Sequence, residues 1–147
     1  MRPLAIVLQG LNAGLAAGHV AQLRPRRRLT GDQWARAHDT YSDYGRLAAL
    51  LAPSATVTAA TTAWLDRRSG RSPAPALSAA AAIASTVVIW RAGNEPVNRR
   101  IGGWRVAGTP AAWERLRDRW EFSHLASALV HLAALGALTA TPARREV

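Results

Sequence analysis

Two asparagines flanking a proline form the most unusual polar segment of this sequence, Asn94-Glu-Pro-Val-Asn98, and two arginines follow at once. The segment comes soon after an apolar run that ends at Trp90. Proline has no backbone donor, fixes its own φ and disfavours helical geometry in the residue before it, so we predict a sharp turn at Pro96. The two carboxamides could close that turn through local backbone bonds, or offer donors and acceptors to a buried polar group.

Histidines are the other candidates for chemistry, and the chain has four. Imidazole binds copper, iron and zinc, so His19, His38 and His124 could supply three ligands to one ion. No two histidines have the close spacing of a strong metal motif. His131 lies two turns beyond His124, about 10 Å along a helix, which is too far for both to bind one ion.

The elements that must position these residues are four uncharged stretches, each long enough to cross a membrane. A helix needs about 20 apolar residues for that purpose. None of the stretches has the charged face of a soluble amphipathic helix. We therefore predict an all-α fold, a four-helix transmembrane bundle in a single domain, 1–147. The uncharged stretches are 3–23, 47–65, 73–90 and 122–143, and the predicted helices cover approximately 3–23, 44–65, 73–91 and 120–141.

Two alternatives remain open for these stretches. The four could form a soluble, alanine-rich bundle. The first stretch could instead be a signal peptide with Met1-Arg2 as its basic start, although its apolar region is longer than usual. We favour a retained helix, because the other three need a fourth partner to complete a bundle.

Short amphipathic helices are predicted in the two long connections, near 31–43 and 110–121. Thr30 is followed three residues later by glutamine, which is the spacing of a capping box. Thr109 is followed by proline, a residue favoured at the first position of a helix. Tryptophans line both segments, as expected for anchors at the headgroup level. At helical spacing, the aromatic stripes are Trp34, His38 and Tyr41 in the first segment, and Trp113, Arg117, Trp120 and His124 in the second.

Charge predicts the orientation and excludes several kinds of site. The net charge is +10, all 19 basic residues are arginines, and there is no cysteine for a disulfide, a thiolate metal site or a nucleophile. Thirteen arginines lie in the connections 24–46 and 91–121. The positive-inside rule then places both connections in the cytoplasm and both termini outside. We expect an integral protein of a bacterial cell membrane, with the lipid bilayer as partner and a homo-oligomer left open. Nucleic acid is not expected, because it would not explain four uncharged runs.

Alternating topology brings the polar residues to one membrane face. The first helix ends near His19, and His38 precedes the second. The third helix leaves toward the two asparagines, and the fourth enters with His124. Polar side chains near the bilayer usually face a bundle interior or a cavity. We expect one pocket at this face, lined by His38, Asn94, Asn98, Trp120 and His124.

The motif Asn94-x-Pro-x-Asn98, followed by Trp120-x-x-x-His124, resembles the anthrone oxygenase-like family of small four-helix integral membrane proteins. The resemblance covers essentially the whole chain, including the number of helices and the two long connections on one side. That family often has an arginine three residues after the histidine, and here the position holds Ser127. This departure concerns the substrate or the subfamily.

The resemblance implies a membrane-bound oxidoreductase, a monooxygenase in polyketide biosynthesis that converts an anthrone methylene to a quinone carbonyl with O₂. It implies no added cofactor. In this chemistry His124 or His38 would act as the base, and Asn94 and Asn98 would stabilise the oxyanion. The implied substrate-binding residues for an aromatic small molecule are Trp34, Tyr41, Trp113, Arg117 and Trp120.

Two other functions are compatible with the same residues. One is a metal-dependent membrane oxidase that uses the three histidines named above. The other is a non-catalytic membrane protein, such as a small partner of a transporter or of a pathway enzyme. No P-loop, dinucleotide fingerprint or Ser-His-Asp order is present in the sequence.

Overall fold

Helices occupy the four apolar stretches and most of the two long connections. The computed structural model of the chain describes residues 1–40 and 42–140. A π-helical turn, Trp90–Asn94, joins the fifth helix to the sixth. In chain order the helices are α1 (Arg2–Ala21), α2 (Leu23–Arg26), α3 (Gly31–Thr40), α4 (Ser42–Arg68), α5 (Ala74–Ile89), α6 (Glu95–Ala107) and α7 (Trp113–Thr139).

Four rods form a bundle, which confirms the predicted fold class. They are long and apolar enough to cross a membrane. Helix α1 packs against α4 and α7, and α5 packs against the same two, so the four stand in a ring. The candidate spans are Arg2–Arg26, Tyr44–Arg68, Ala74–Trp104 and Trp113–Thr139.

The bundle is apolar on the outside and packed with small residues inside. Leu50 and Phe122, for example, are 70% and 71% exposed. Small side chains allow membrane helices to approach closely, because little volume separates the backbones. This arrangement suits a lipid environment and identifies a membrane protein. The buried core consists of Ala5, Ala55, Ala59, Ala63, Ala76, Ala79, Ala80, Ile83, Ala134 and Leu138.

Contacts of Arg2 establish that α1 runs antiparallel to α4 and α7. Its guanidinium lies 2.5 Å from Asp66 Oδ2, near the end of α4, and donates to the carbonyl of Leu138, near the end of α7, at 2.7 Å. Asp66 is buried and also accepts from Arg71 Nε at 3.0 Å. We call this the hairpin end, because the short α4–α5 connection lies here. The opposite end, which carries the long connections, is the connection end.

The predicted turn at Pro96 is wrong. The chain instead continues from α5 through the π-helical turn into α6, with proline among the first residues of that helix. Proline removes the donor that the carbonyl of Ala92, four residues earlier, would receive in a regular helix. Arg119 Nη2 donates to that carbonyl at 2.5 Å. A side chain from α7 therefore supplies a hydrogen bond at the position where proline withholds one.

The first long connection agrees with its prediction, and the second differs in position. Helix α3 begins with the predicted capping box, in which the Thr30 backbone N–H donates to Gln33 Oε1 at 2.9 Å and the Gln33 N–H donates to Thr30 Oγ1 at 3.4 Å. In the second connection, α6 forms the helix, and α7 begins only at Trp113. Thr109 does not cap α7, because its hydroxyl donates to the Asp32 carboxylate.

Candidate functional site

Asn98 joins two aromatic side chains through one oxygen atom. Its Oδ1 lies 2.9 Å from Trp120 Nε1 and 2.9 Å from His38 Nε2. An indole N–H can only donate, so the Asn98 atom that it contacts must be the carbonyl oxygen. The same oxygen can only accept, so His38 Nε2 must carry a proton. In neutral His38 the lone pair is therefore on Nδ1.

Trp120 is the centre of a ring cluster that includes all three histidines of the connection end. Its ring centroid lies 4.1 Å from that of His124, 5.8 Å from that of His19 and 5.7 Å from that of His38. His19 and His124 stack with centroids 4.3 Å apart and planes 17° apart. Trp34, which is 1% exposed, contacts the Trp120 ring edge-on at 5.9 Å. We call these five rings the Trp120 cluster.

Four elements bring the Trp120 cluster and Asn98 together. His19 lies in the last turn of α1 and His38 in the last turn of α3. Asn98 lies in the first turn of α6, and Trp120 and His124 lie one turn apart on α7. The continuous α5–α6 rod, rather than a turn, is what carries Asn98 to this position.

Asn94 holds two helices together. Its side chain is 1% exposed, and Nδ2 donates to the Trp120 carbonyl at 3.0 Å. Beside it, Gly93 approaches α7 so closely that an added Cβ would overlap the hydroxyl of Ser123 and lie 2.6 Å from the Ser123 Cβ. These contacts fix the π-helical turn against α7. The Asn94 side chain therefore bonds to the backbone of α7, whereas the Asn98 side chain bonds to two rings of the Trp120 cluster.

The predicted substrate-binding residues fall into separate places. Trp113 and Trp34 lie together, with ring centroids 6.3 Å apart. The Arg117 guanidinium lies 4.9 Å from the Trp113 ring centroid and pairs with Asp118 at 3.2 Å. Tyr41 lies outside the described residues. Arg117 thus lies over Trp113, and a different arginine, Arg26, lies over Trp120, with Cζ 5.2 Å from the ring centroid.

Sequence reasoning missed the buried charges Arg26 and Glu121. Arg26 Nη2 donates to the His19 carbonyl at 2.6 Å, and its Nε lies 3.9 Å from Glu121 Oε1. Arg27 Nε donates to Glu121 Oε2 at 3.0 Å. The side chains of Arg26 and Glu121 are 3% and 1% exposed. One signal was available in the sequence: Glu121 directly follows Trp120 and borders the fourth uncharged stretch, 122–143.

A cleft of about 680 Å³ lies next to the Trp120 cluster, between α6 and the start of α7. Its lining includes Trp104, Leu116, Arg100 and Arg115. Trp104 contacts Trp34 with centroids 5.8 Å apart, so the buried Trp34 ring, itself a member of the cluster, separates the cleft from Trp120. The expected pocket is thus divided into a packed ring cluster and a neighbouring cleft.

The three histidines proposed as metal ligands meet, but their rings do not converge on one point. The planes of His19 and His124 are stacked and nearly parallel, and an imidazole binds a metal in its own ring plane, so an ion close to these rings cannot lie in both planes. His38 directs Nε2 at Asn98. Within residues 1–40 and 42–140, no group of three histidine or acidic side chains has an arrangement that could hold a metal ion.

Comparisons with protein-family models, with curated proteins and with solved structures find no match to this chain.

Proposed function

We propose that this membrane protein is an oxygenase of the anthrone oxygenase type, which oxidises a lipid-soluble aromatic substrate such as an anthrone with O₂. The proposal includes no metal or organic cofactor. The observation that carries it is the His38–Asn98–Trp120 contact, because it supplies a base with a defined free nitrogen beside aromatic rings.

His38 is the proposed general base. The bond from Nε2 to Asn98 holds the imidazole with Nδ1 as its acceptor. A base must lie within hydrogen-bond reach of the proton that it removes, and His38 is only partly buried. His124, the other candidate, is enclosed between the rings of His19 and Trp120. We assign His124 to positioning Trp120.

Asn98 and Arg26 would stabilise the negative charge that proton removal creates. Asn98 uses its oxygen for Trp120 and His38, and in the described part of the chain its amide nitrogen makes no hydrogen bond. Those N–H groups are suited to an enolate oxygen. Arg26, buried above Trp120, adds a fixed positive charge in a region of low dielectric constant.

The reaction balances with O₂ as the sole co-reactant. His38 takes one methylene proton of the substrate, and the electron pair of that C–H bond enters the enolate. The enolate passes an electron to O₂, and the two radicals combine as a peroxide anion. Protonated His38 returns its proton to this anion, which gives the hydroperoxide and regenerates the base. Loss of water from the hydroperoxide leaves the quinone carbonyl. One oxygen atom enters the substrate, and the other leaves in water.

Anthrone itself provides the test, with the purified chain in lipid nanodiscs. We expect one molecule of O₂ to be consumed for each quinone formed, with the quinone followed by its absorbance. Both changes should be faster than in empty nanodiscs, which control for spontaneous oxidation. Deuterium at the methylene should slow the enzymatic rate, because that C–H bond breaks. A rate no greater than in empty nanodiscs would contradict the proposal. Loss of activity on chelation, restored by one metal, would replace it with the metal-dependent oxidase.

The same proposal places the connection end in the cytoplasm, as the arginine distribution predicts. A phosphatase fused after Val147, active only outside the cytoplasm, should then be active in cells. A fluorescent reporter that requires the cytoplasm should be dark at the same position. The reverse pattern would place the Trp120 cluster at the outer face.

A further inference from the structure

A column of polar side chains runs through the apolar bundle between its two ends. Ionisable residues such as His131 are uncommon at membrane depth, where they mark ion or proton paths. The contributing helices place these residues toward the bundle interior. Six of the eight residues in the column are less than one-tenth exposed. From the connection end, the column consists of His124, Ser127, Asn12, Gln9, His131, Thr58, Thr62 and Asp66.

His131 occupies the middle of the column in a defined orientation. Gln9 Nε2 donates to the His131 carbonyl at 2.6 Å, which fixes that amide atom as the nitrogen. The same nitrogen lies 3.2 Å from His131 Nδ1, so Nδ1 accepts and Nε2 carries the proton of the neutral ring. The neutral imidazole therefore accepts from Gln9 at Nδ1 and has Nε2–H available to donate. Relay through the ring requires a water molecule to replace the 3.2 Å Gln9 contact at Nδ1.

Two buried atoms beside His131 require a polar ligand. Gln9 Oε1 and Asn12 Nδ2 have no hydrogen-bond partner in the described part of the chain, and their residues are 0% and 2% exposed. One is an acceptor and the other a donor, and they lie one turn apart on α1. Water can accept from the second and donate to the first. Ser127, on the helical stripe of His124 and His131, adds a hydroxyl between the two histidines.

Threonines continue the column from His131 to the hairpin end. Gln9 is seven residues from Arg2, about 10 Å, and Thr58 is eight residues from Asp66, about 12 Å. Since Arg2 contacts Asp66, Gln9 and Thr58 lie at a similar depth. Thr58 and Thr62 donate to carbonyls of their own helix at 2.9 and 2.7 Å, which leaves their oxygens to accept from water.

We propose that this column holds a file of water molecules that conducts protons between the two ends of the bundle, with His131 as the relay at its centre. The file would exchange protons between the Trp120 cluster and the opposite membrane face. Metal cations are not suited to it. Between Asp66 and Glu121, the described interior has no carboxylate to replace their hydration, and guanidinium groups stand at both ends.

Proton flux into liposomes tests this proposal without any substrate. The full chain is reconstituted with a pH-sensitive dye inside, and a potassium gradient with valinomycin provides the driving force. We expect severalfold faster acidification than in protein-free liposomes. Thr62→Val should remove most of the increase. Thr61→Val is its matched control, because the Thr61 hydroxyl makes the same bond to its own helix but is outside the column.

His131→Leu is a second variant, and it should also lower the flux toward the protein-free rate. Helix content and a monodisperse elution profile establish that each variant is folded. Wild-type flux equal to that of protein-free liposomes would overturn the proposal. So would unchanged flux in folded Thr62→Val and His131→Leu, or sodium flux as fast as proton flux, which would indicate a non-selective leak.

Discussion

The side-chain oxygen of Asn98 accepts the indole N–H of Trp120 at 2.9 Å, across the interface between α6 and α7. This contact defines which atom of the amide is oxygen, and the His38 tautomer follows from it. It also ties the chain after the π-helical turn to the first turns of the last membrane helix. Orientation of the base and attachment of α6 thus depend on the same atom.

Two substitutions at Asn98 should separate its packing from its chemistry. Asn98→Leu leaves the Trp120 N–H without an acceptor, at a cost of about 1–3 kcal/mol of stability. Asn98→Asp keeps an accepting oxygen and should unfold at a higher temperature than the leucine variant. It lacks the amide N–H groups, however, and should still lose anthrone turnover. Thermal unfolding followed by circular dichroism, together with the anthrone assay, gives both readouts. Equal stability of the two variants would remove the proposed acceptor role.

Gly93→Ala should destabilise the bundle by about 1–3 kcal/mol, the usual cost of overpacking. The new Cβ would overlap the hydroxyl of Ser123, so the π-helical turn and α7 would have to separate. Gly102→Ala is the matched control within α6, because a Cβ there meets nothing within 4 Å. Alanine favours helix by about 1 kcal/mol over glycine, so the control should be neutral or stabilised. Similar unfolding temperatures for the two variants would contradict the close approach.

Arg119→Met should cost about 1 kcal/mol, because the Ala92 carbonyl loses its donor. The loss should be smaller in a Pro96→Ala background, since alanine there provides the backbone N–H that proline lacks. A double-mutant cycle of unfolding free energies measures this coupling. If Arg119→Met costs the same with and without Pro96, the guanidinium does not compensate for proline.

The membrane helices were predictable because the bilayer imposes a length requirement that composition displays directly. Four uncharged stretches imply four membrane spans. Because the spans alternate in direction, the end of the first span and the beginning of the fourth lie at the same membrane face. His19 and His124 are examples, since they come from opposite ends of the chain and stack in the structure. The alternating topology is enough to predict that His19 and His124 lie at the same end of the bundle.

The turn at Pro96 was predicted wrongly because proline's local rule is only part of the energetics. Its missing hydrogen bond is replaced by Arg119, a residue that is distant in sequence and contributed by another helix. The sequence of the π-helical turn, "WRAGN", contains no residue pattern that would predict a π-helix. The helix continues because Pro96 stands in the first turn of α6, where proline is tolerated, and a contact from another helix replaces the bond that it withholds.

Burial of Arg26 could not be predicted for a similar reason. It stands in the run "RPRRR", where composition gives each arginine the same expectation of exposure. Its side chain becomes buried because α2 follows α1 directly and places it over Trp120, near Glu121. Tyr41 lies outside the described residues, so its predicted role remains a prediction.

The most direct test of His38 as the base is the rate of anthrone oxidation by His38→Gln in lipid nanodiscs. The glutamine amide can still donate to Asn98 but cannot take a proton at neutral pH. We expect turnover to fall by about 10²-fold or more, the usual contribution of a general base, with the unfolding temperature close to that of the wild type. Wild-type turnover in a folded His38→Gln variant would contradict the account.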